Sequence, residues 1–409
     1  MNKHRSFFEL PNIKKEIIPV ASGIPFGFST VYNPALGIGG VYGAWGDSYD
    51  NHSLRDLVAQ RYGEPLDDED IMNLAELGFL SRHHIPPLDK PEDIELEMQI
   101  GTRMLQEAAR ANGWQVGEVD AVLIGAGGPV IPDYVEQICR RAGIPETALK
   151  VSVHKACDSS VAGLHLALNP ALTRQGHINI AEELLGKKVL VGGIEGLSRF
   201  TSHSHDKYAL QLFANAAGVI GVIPGETFKF LVGRNHEAFD GEGVLAIHMY
   251  YPHPGKNVGD SLIEVTQENP SHIRVAGLMH EPKDGSPISM AGPMGMVKLF
   301  VRTGVKVVTE VFYEYAELMK KLGTPEKQIA VGIVHHANYK INQLKAKQLQ
   351  SAGIEFPMPW LLSDFGNVSA ASNMIAFLRQ LPNIKPGDNV LFDGFGAGTY
   401  YDVLAVTLG

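Results

Sequence analysis

The chain has 409 residues, of which 44% are hydrophobic and 20% charged, as is typical of a folded, water-soluble protein rather than a disordered one. Its net charge of -10 disfavours a nucleic-acid partner, because phosphate contacts depend on clustered Lys and Arg. No apolar run approaches the ~20 residues of a membrane helix, and the first residues lack the apolar core of a signal peptide. We therefore expect no membrane span and a cytoplasmic location.

Helical and strand patterns alternate from residue 93 onward, after a first segment that we predict to be irregular. The predicted elements are a helix from Asp93 to Asn112, a strand from Val119 to Gly125, a helix from Pro132 to Ala142, a strand from Leu149 to Val153, a helix from Cys157 to Leu168 and a strand from Lys188 to Ile194. Strands that alternate with helices predict a parallel sheet covered on both faces.

The same order returns in the C-terminal part of the chain. The predicted elements there are a strand from Val244 to Tyr250, a helix from Met294 to Leu322, a strand from Gln328 to Val334, helices from Asn338 to Ser351 and from Ser369 to Leu381, and a closing hairpin of Val390 to Phe392 and Tyr400 to Val406. Two halves of similar order indicate an internal pseudo-repeat. We place the join near residue 235, which gives an N-terminal half of residues 1–235 and a C-terminal half of residues 236–409.

Cys157 stands between a predicted strand and a helix rich in Ala, Gly and Ser. Unpaired amides and the helix dipole stabilise a thiolate at a helix N-terminus, which predicts a lowered pKa and the position of a nucleophile. The alternative is an inert buried thiol, which we favour for Cys139 inside a helical run. Asp158 and the two serines that follow are equally well explained as helix caps.

His335 ends an apolar strand just before a helix, and Asn367 follows a glycine before a helix start rich in small residues. Ligands and catalytic groups collect at such strand ends in parallel α/β sheets. A turn with Asn in the left-handed conformation is the alternative reading of Asn367. His335 and His336 point in opposite directions along an extended backbone, so we expect one of them to be a bystander. The histidine pairs of the chain lack acidic or cysteine partners at zinc-like spacing, so we expect no metal and no cofactor.

Four blocks occur in a familiar order along the chain: ACDSSVAGLHLAL, VHHANYKIN, FGNVSAAS and FGAGTYYDVLAV. With them the chain resembles the thiolase-fold condensing enzymes, most closely the ketoacyl-(acyl-carrier-protein) synthase III branch. The likeness covers residues 93–409 well and residues 1–92, which are divergent, poorly. It implies an α/β thiolase fold whose two pseudo-repeated halves form a layered αβαβα arrangement.

The resemblance implies that Cys157 accepts the acyl group and that His335 and Asn367 hydrogen-bond the carbonyl of a second thioester. It also implies an oxyanion hole formed by the backbone N–H groups of Cys157 and Gly398. The reaction is then a Claisen condensation of the acyl group on Cys157 with a malonyl-type or β-keto thioester, in fatty acid or polyketide-like biosynthesis. The alternatives are acyl transfer to an oxygen, nitrogen or sulfur acceptor, and a non-catalytic carrier-binding partner subunit.

Two further positions are candidates for substrate binding. Lys340 keeps the family's positive charge for the phosphate of a pantetheine arm or for an acidic carrier protein, with a solvated helix residue as the alternative. Phe213 resembles a tunnel-side aromatic residue, with core packing as the alternative. The family's coenzyme A segment aligns with Met72 to Phe79, where Glu76 cannot pair with a phosphate. We therefore expect acyl thioesters on acyl carrier protein for at least one substrate, with coenzyme A left open for the other, and the resemblance implies a homodimer.

Overall fold

The computed structural model describes residues 15–63, 67, 71–172, 180–201, 207–237, 264–277, 297–397 and 399–409. The described strands are β1 (Lys15–Pro19), β2 (Pro25–Asn33), β3 (Ile38–Trp45), β4 (Asp47–Asp50), β5 (Ser81–His84), β6 (Ala121–Gly125), β7 (Leu149–His154), β8 (Val189–Glu195), β9 (Ala216–Val222), β10 (Phe228–Glu237), β11 (Glu264–Asn269), β12 (His272–Ala276), β13 (Ile329–Val334), β14 (Asn389–Gly396) and β15 (Tyr400–Leu408).

The described α-helices follow the same chain order. They are α1 (Ser53–Tyr62), α2 (Lys90–Ala111), α3 (Tyr134–Ala142), α4 (Ser159–Leu168), α5 (Ile180–Leu184), α6 (Leu197–Thr201), α7 (Lys207–Leu212), α8 (Gly304–Lys321), α9 (Tyr339–Ser351) and α10 (Ser372–Gln380). A π-helical segment, Val297–Thr303, leads into α8. No helix among these residues combines the length and the hydrophobicity needed to cross a bilayer.

The described residues form two large sheets and a two-stranded sheet of β4 and β5. The larger sheet has the strand order β1-β2-β3-β9-β8-β6-β7-β12-β11, and the smaller one has the order β10-β15-β14-β13. Parallel pairing joins β6 to β7 and β8, and β13 to β14, whereas β8–β9 and β14–β15 are antiparallel. The sheets are therefore mixed. The prediction of a parallel sheet was wrong for β9, which returns antiparallel beside β8, whereas the predicted closing hairpin is confirmed by β14 and β15.

The helices form layers around these sheets. The central helices α4 and α10 lie between the two sheets, where their side chains share one apolar core with both. Helices α2 and α3 cover the outer face of the larger sheet, and α8 and α9 cover that of the smaller sheet. The predicted layered αβαβα arrangement is confirmed, and it leaves the N-terminal ends of α4 and α10 deep inside the molecule.

Most predicted elements after residue 93 match observed ones within a few residues. The prediction of an irregular first segment was wrong, because β1 to β3 extend the larger sheet there. All eight residues of β3 are buried, so the strand lacks the alternation of apolar and polar residues by which a half-exposed strand is recognised. The predicted strand Val244 to Tyr250 lies outside the described residues, and the join predicted near residue 235 falls within β10.

Candidate active site

The turn that carries Cys157 is tight and strained. Between β7 and α4 the chain makes a 3-10 turn, Ala156–Asp158, in which Ala156 has a φ of 50°. A left-handed alanine costs on the order of 1–3 kcal/mol and persists only where packing enforces it. Gly396 at the end of β14 provides that packing, since a Cβ there would lie 3.0 Å from the backbone nitrogen of Cys157. The turn thus fixes Cys157 against the smaller sheet.

A second turn of the same shape faces the first. Ser369 has a φ of 45° and opens the 3-10 turn Ser369–Ala371 before α10. Its Oγ donates a hydrogen bond to Sγ of Cys157 at 3.3 Å. The pseudo-repeat therefore brings two equivalent strained turns together at one point, one from each half of the chain.

Asn367 lies two residues before this contact and is held at both ends. Its backbone N–H donates to the Leu212 carbonyl at 2.9 Å, which places it beside Phe213. Its Oδ1 accepts from the Ser369 N–H at 3.0 Å, so the amide nitrogen points away from that turn. Nδ2 donates to the carbonyl of Ala337 at 3.4 Å. Asn367 is therefore oriented between the Cys157 turn and the segment that follows His335.

His335 is buried at the end of β13 and contacts the same helix start. Its Nδ1 hydrogen-bonds Oγ of Ser372, the first residue of α10, and its ring packs edge-on against Phe395 at 4.9 Å between centroids. Burial, together with the nearby His336 and Lys345, lowers the pKa of His335 to about 3. The imidazole is therefore neutral at physiological pH.

His336 is oriented by hydrogen bonds to the backbone. Its Nδ1 donates to the Val334 carbonyl at 2.7 Å, and its Nε2 accepts from the Leu361 N–H at 3.0 Å. Both ring nitrogens are thus used by the backbone, and burial lowers the pKa of His336 to about 4. The His336 ring also packs against Trp360, with 4.5 Å between ring centroids, so its contacts stabilise the fold.

The two cysteines differ in their surroundings, although burial raises the pKa of each thiol to about 12. Cys139 is fully buried in the apolar layer around α3, as predicted for an inert thiol. Cys157 keeps some solvent exposure. The predicted lowering of the Cys157 pKa was wrong in direction, because loss of hydration outweighs the hydrogen bonds from Ser369 and its own backbone.

A buried ionic cluster lies between the Cys157 turn and β15. Lys155 Nζ pairs with Asp402 of β15 and lies 3.3 Å from Asp158 Oδ2, and His165 Nδ1 hydrogen-bonds the other oxygen of Asp402 at 2.6 Å. Asp158 makes no capping hydrogen bond, so its reading as a cap was wrong. The cap-like role belongs to Ser159, whose Oγ accepts from the Lys155 N–H at 2.8 Å.

The remaining predicted residues make separate contacts or lie outside the described residues. Lys340 is half-exposed near the start of α9 and pairs with Glu76 at 2.6 Å. Phe213 is half-buried and packs against Leu197 and Phe200. Gly398, predicted for the oxyanion hole, is not among the described residues. Within the described ranges, no group of three or more His, Cys, Asp or Glu side chains is placed to hold a metal ion.

Three side chains next to the site were missed by the sequence reasoning. Ser369 and Ser372 lie in the Asn367 block, where they were assigned only to the helix start, and Glu195 ends an apolar strand just as His335 does. Glu195 Oε1 accepts hydrogen bonds from the N–H groups of Gly127 and Ala370. The strand-end rule that selected His335 would also have selected Glu195.

Comparisons with known proteins show what the chain is similar to. Residues 319–408 match the family model described as the C-terminal domain of 3-oxoacyl-[acyl-carrier-protein] synthase III. Beta-ketoacyl-[acyl-carrier-protein] synthase III of Clostridium tetani is 25% identical over 307 residues, which cover 73% of this chain and 80% of the relative. The synthase III 1 of Halalkalibacterium halodurans is 24% identical over 353 residues, covering 84% and 91%.

Solved structures show the same fold. The synthase III of Aquifex aeolicus matches with a TM-score of 0.58 and 18% identity, covering 96% of this chain and 100% of that one. The C-terminal type III polyketide synthase domain of a Dictyostelium hybrid enzyme matches with a TM-score of 0.62 and 15% identity, covering 93% and 99%. The chain therefore has the thiolase fold. It is an enzyme similar to the ketoacyl-(acyl-carrier-protein) synthase III family, as its four sequence blocks predicted.

Proposed function

We propose that this chain forms carbon–carbon bonds by Claisen condensation, joining an acyl group held on Cys157 to a malonyl-type or β-keto thioester in fatty acid or polyketide-like biosynthesis. One observation carries the proposal. The short segment 367–372 contacts each of the candidate groups: Ser369 bonds the Cys157 sulfur, Asn367 is part of the segment, and Ser372 bonds His335. A nucleophile and two polar groups for a second carbonyl are thereby linked through six consecutive residues.

The first half-reaction transfers an acyl group to Cys157. The sulfur attacks the thioester carbonyl, and the carrier thiol leaves. The backbone N–H of Cys157 and that of Gly398 are proposed to hold the oxyanion of the tetrahedral intermediate. A preorganised donor of this kind contributes about 2.7–4 kcal/mol to transition-state stabilisation.

The second half-reaction uses His335 and Asn367. With Oδ1 of Asn367 bound to the Ser369 N–H and one Nδ2 hydrogen directed at the Ala337 carbonyl, the second Nδ2 hydrogen is left as a donor. If Ser372 donates to Nδ1 of His335, Nε2 carries the ring proton and is the second donor. Both then stabilise the enolate oxygen that develops when the second thioester loses carbon dioxide or an α-proton. Because its pKa is about 3, His335 acts as a neutral donor throughout the physiological range.

Product analysis tests the proposed function. Wild-type protein given an acyl thioester and a malonyl thioester should release carbon dioxide and form a β-keto thioester. His335→Ala and Asn367→Ala should still be acylated on Cys157, while condensation falls by about 10²–10³-fold, since each variant lacks one enolate donor. His236→Ala is the matched control, because His236 is an exposed histidine on β10. Ester, amide or simple thioester products without carbon dioxide release would contradict condensation.

Delivery by acyl carrier protein is proposed because Glu76, which cannot pair with a phosphate, stands in the segment that aligns with the family's coenzyme A segment. The segment that holds Glu76 is fixed against α9 and Trp360, since the Tyr339 N–H donates to the Leu77 carbonyl at 2.8 Å and Trp360 Nε1 to the Gly78 carbonyl at 2.7 Å. Glu76 thereby neutralises Lys340.

A homodimer in the cytoplasm is proposed from the likeness to the synthase III family alone.

Glu76→Gln is expected to release Lys340 for the phosphate or the acidic surface of the carrier. The apparent KM for acyl carrier protein should fall about 2- to 5-fold at low salt, and the change should shrink at high salt because exposed charges are screened. Lys340→Gln should raise this KM. Glu317→Gln is the control, since Glu317 forms an equally short exposed pair with Lys320 at 2.6 Å on α8. Equal KM values for all four proteins would remove Lys340 from the carrier site.

A further inference from the structure

Glu195 is a buried carboxyl group next to the nucleophile, and one of its two oxygens makes no hydrogen bond within the described residues. The residue ends β8 and is 1% exposed. Its Oε1 accepts hydrogen bonds from the N–H groups of Gly127 at 2.8 Å and of Ala370 at 3.2 Å. Its Oε2 is buried and has no hydrogen-bond partner within the described chain. An unpaired buried carboxylate oxygen is costly, so its retention requires a physical reason.

Ser369 lies between this carboxyl group and Cys157. Its Oγ is 3.3 Å from Sγ of Cys157, and its hydroxyl is close enough to Glu195 to oppose the rise of that carboxyl pKa. The next residue, Ala370, donates its N–H to Glu195. A Cβ at Gly193, two residues before Glu195, would clash with the Ala370 carbonyl, so β8 and the turn are in direct contact. The positions of thiol, hydroxyl and carboxyl group are thus fixed together.

The other candidate base is poorly suited to accept the Cys157 proton. The Cys157 thiol holds its proton at neutral pH, because burial raises its pKa to about 12. His335 is a weak base, since its pKa is lowered to about 3. Burial raises the pKa of Glu195 to about 7, against the opposing hydrogen bonds of the Gly127 and Ala370 N–H groups and the nearby Ser369 hydroxyl. A base with a pKa near the working pH is the effective choice.

We propose that Glu195 is the terminal proton acceptor for acylation of Cys157, with the Ser369 hydroxyl as the proton carrier between them. This inference rests on the proposed function, because it concerns the acyl-accepting step. Ser369 first turns its O–H from the Cys157 sulfur toward Glu195, so that its oxygen can accept from the thiol. As the bond from Cys157 Sγ to the acyl carbon forms, the thiol proton passes to Ser369 Oγ and the Ser369 proton passes to Oε2 of Glu195. The bond from the acyl carbon to the carrier sulfur breaks, and the departing thiolate takes the proton back from Glu195 through Ser369.

The charged and titratable groups around Glu195 come from several elements. Glu97 on α2, the Cys157 thiol and Tyr134 on α3 are close enough to interact electrostatically with Glu195. Arg199 on α6 pairs with Glu97 at 3.0 Å. Arg199 thus offsets the charge of Glu97, which would otherwise raise the Glu195 pKa further. Glu195 has a pKa of about 7 and bonds the turn next to Ser369 through the Ala370 N–H.

The test compares pH profiles of Cys157 reactivity in the full-length protein. Wild type, Glu195→Gln and Ser369→Ala are reacted with iodoacetamide and with a hexanoyl N-acetylcysteamine thioester, and modification of Cys157 is followed by intact-mass measurement. Wild-type rates should rise with pH through an inflection near 7. In both variants the inflection should disappear and the rate at neutral pH should fall about 10²-fold, the usual contribution of general base catalysis. Glu195→Asp should keep the inflection at a reduced rate.

Glu107→Gln is the matched control, because Glu107 is also a buried glutamate but pairs with Arg103 and Arg110 on α2. Its profile should be that of the wild type. A Glu195→Gln protein that retains the inflection and a rate within about threefold of wild type would overturn the relay. If that variant does not fold, Ser369→Ala decides by the same criterion. If wild-type Cys157 is never acylated, the proposed function fails, while the iodoacetamide profile still decides the relay.

Discussion

Replacing Cys157 by alanine is expected to abolish formation of the acyl-enzyme and to reduce turnover at least about a thousandfold, as loss of a nucleophile does in other covalent enzymes. Cys157 is the thiol that lies at the start of a central helix, retains solvent exposure and contacts Ser369. Intact-mass measurement after incubation with a panel of acyl thioesters should show an adduct on the wild-type protein and none on the variant. The mass of the wild-type adduct also identifies the preferred acyl group.

Cys139→Ala provides the control for this experiment. Cys139 is fully buried among the apolar residues of α2 and α3, in a cluster that contains none of the site residues. Its removal should leave the adduct and its rate of formation unchanged. An adduct that persists on folded Cys157→Ala protein would show that another side chain is the nucleophile, and the proposed condensation mechanism would then be wrong.

The second large effect concerns stability rather than turnover. Lys155→Met should lower the free energy of unfolding by about 3–5 kcal/mol, because it leaves Asp402 buried without its cation. Urea unfolding at neutral pH measures this loss. Lys155→Met combined with Asp402→Asn should recover part of it, since the uncompensated charge is gone. Lys188→Met is the control, because Lys188 forms a partly exposed pair with Glu118 at 3.2 Å and such pairs contribute at most about 1 kcal/mol.

The loss should also depend on pH in a defined direction. Burial alone would raise the pKa of Asp402, but Lys155 and His165 reverse this and hold it well below its ordinary value. In the wild type this carboxylate therefore contributes stability above its unfolded pKa of about 3.9, and the contribution is lost as the pH falls. Without Lys155, the effect of burial dominates and the pKa of Asp402 in the folded state is raised. The variant therefore loses stability as the pH rises. The difference between the two proteins should consequently grow from acid to neutral pH, and a constant difference would contradict the assignment.

The local pattern of residues was sufficient to predict the elements in which apolar residues recur at regular spacing. The helical spacing of α2 and the apolar runs of β6 and β13 were predicted close to their observed bounds, because each pattern reports burial of one face or of a whole strand. Strands β2 and β3 were missed, since glycines interrupt them and β3 is buried throughout. Strand order and direction were also beyond reach, because pairing depends on residues far apart in the chain.

The sequence by itself determined the fold family and the side chains of the candidate chemistry, since Cys157, His335 and Asn367 each stand in a recognisable block at a strand-to-helix junction. Tertiary structure alone decided the electrostatics around them. Lys155 and Asp402 are 247 positions apart, yet they form one buried pair, and Asp158 joins them instead of capping a helix. Likewise, the helix start at Cys157 favours a thiolate, but burial raises the thiol pKa instead. Such outcomes depend on desolvation and on contacts between distant residues, and a local pattern of residues contains neither.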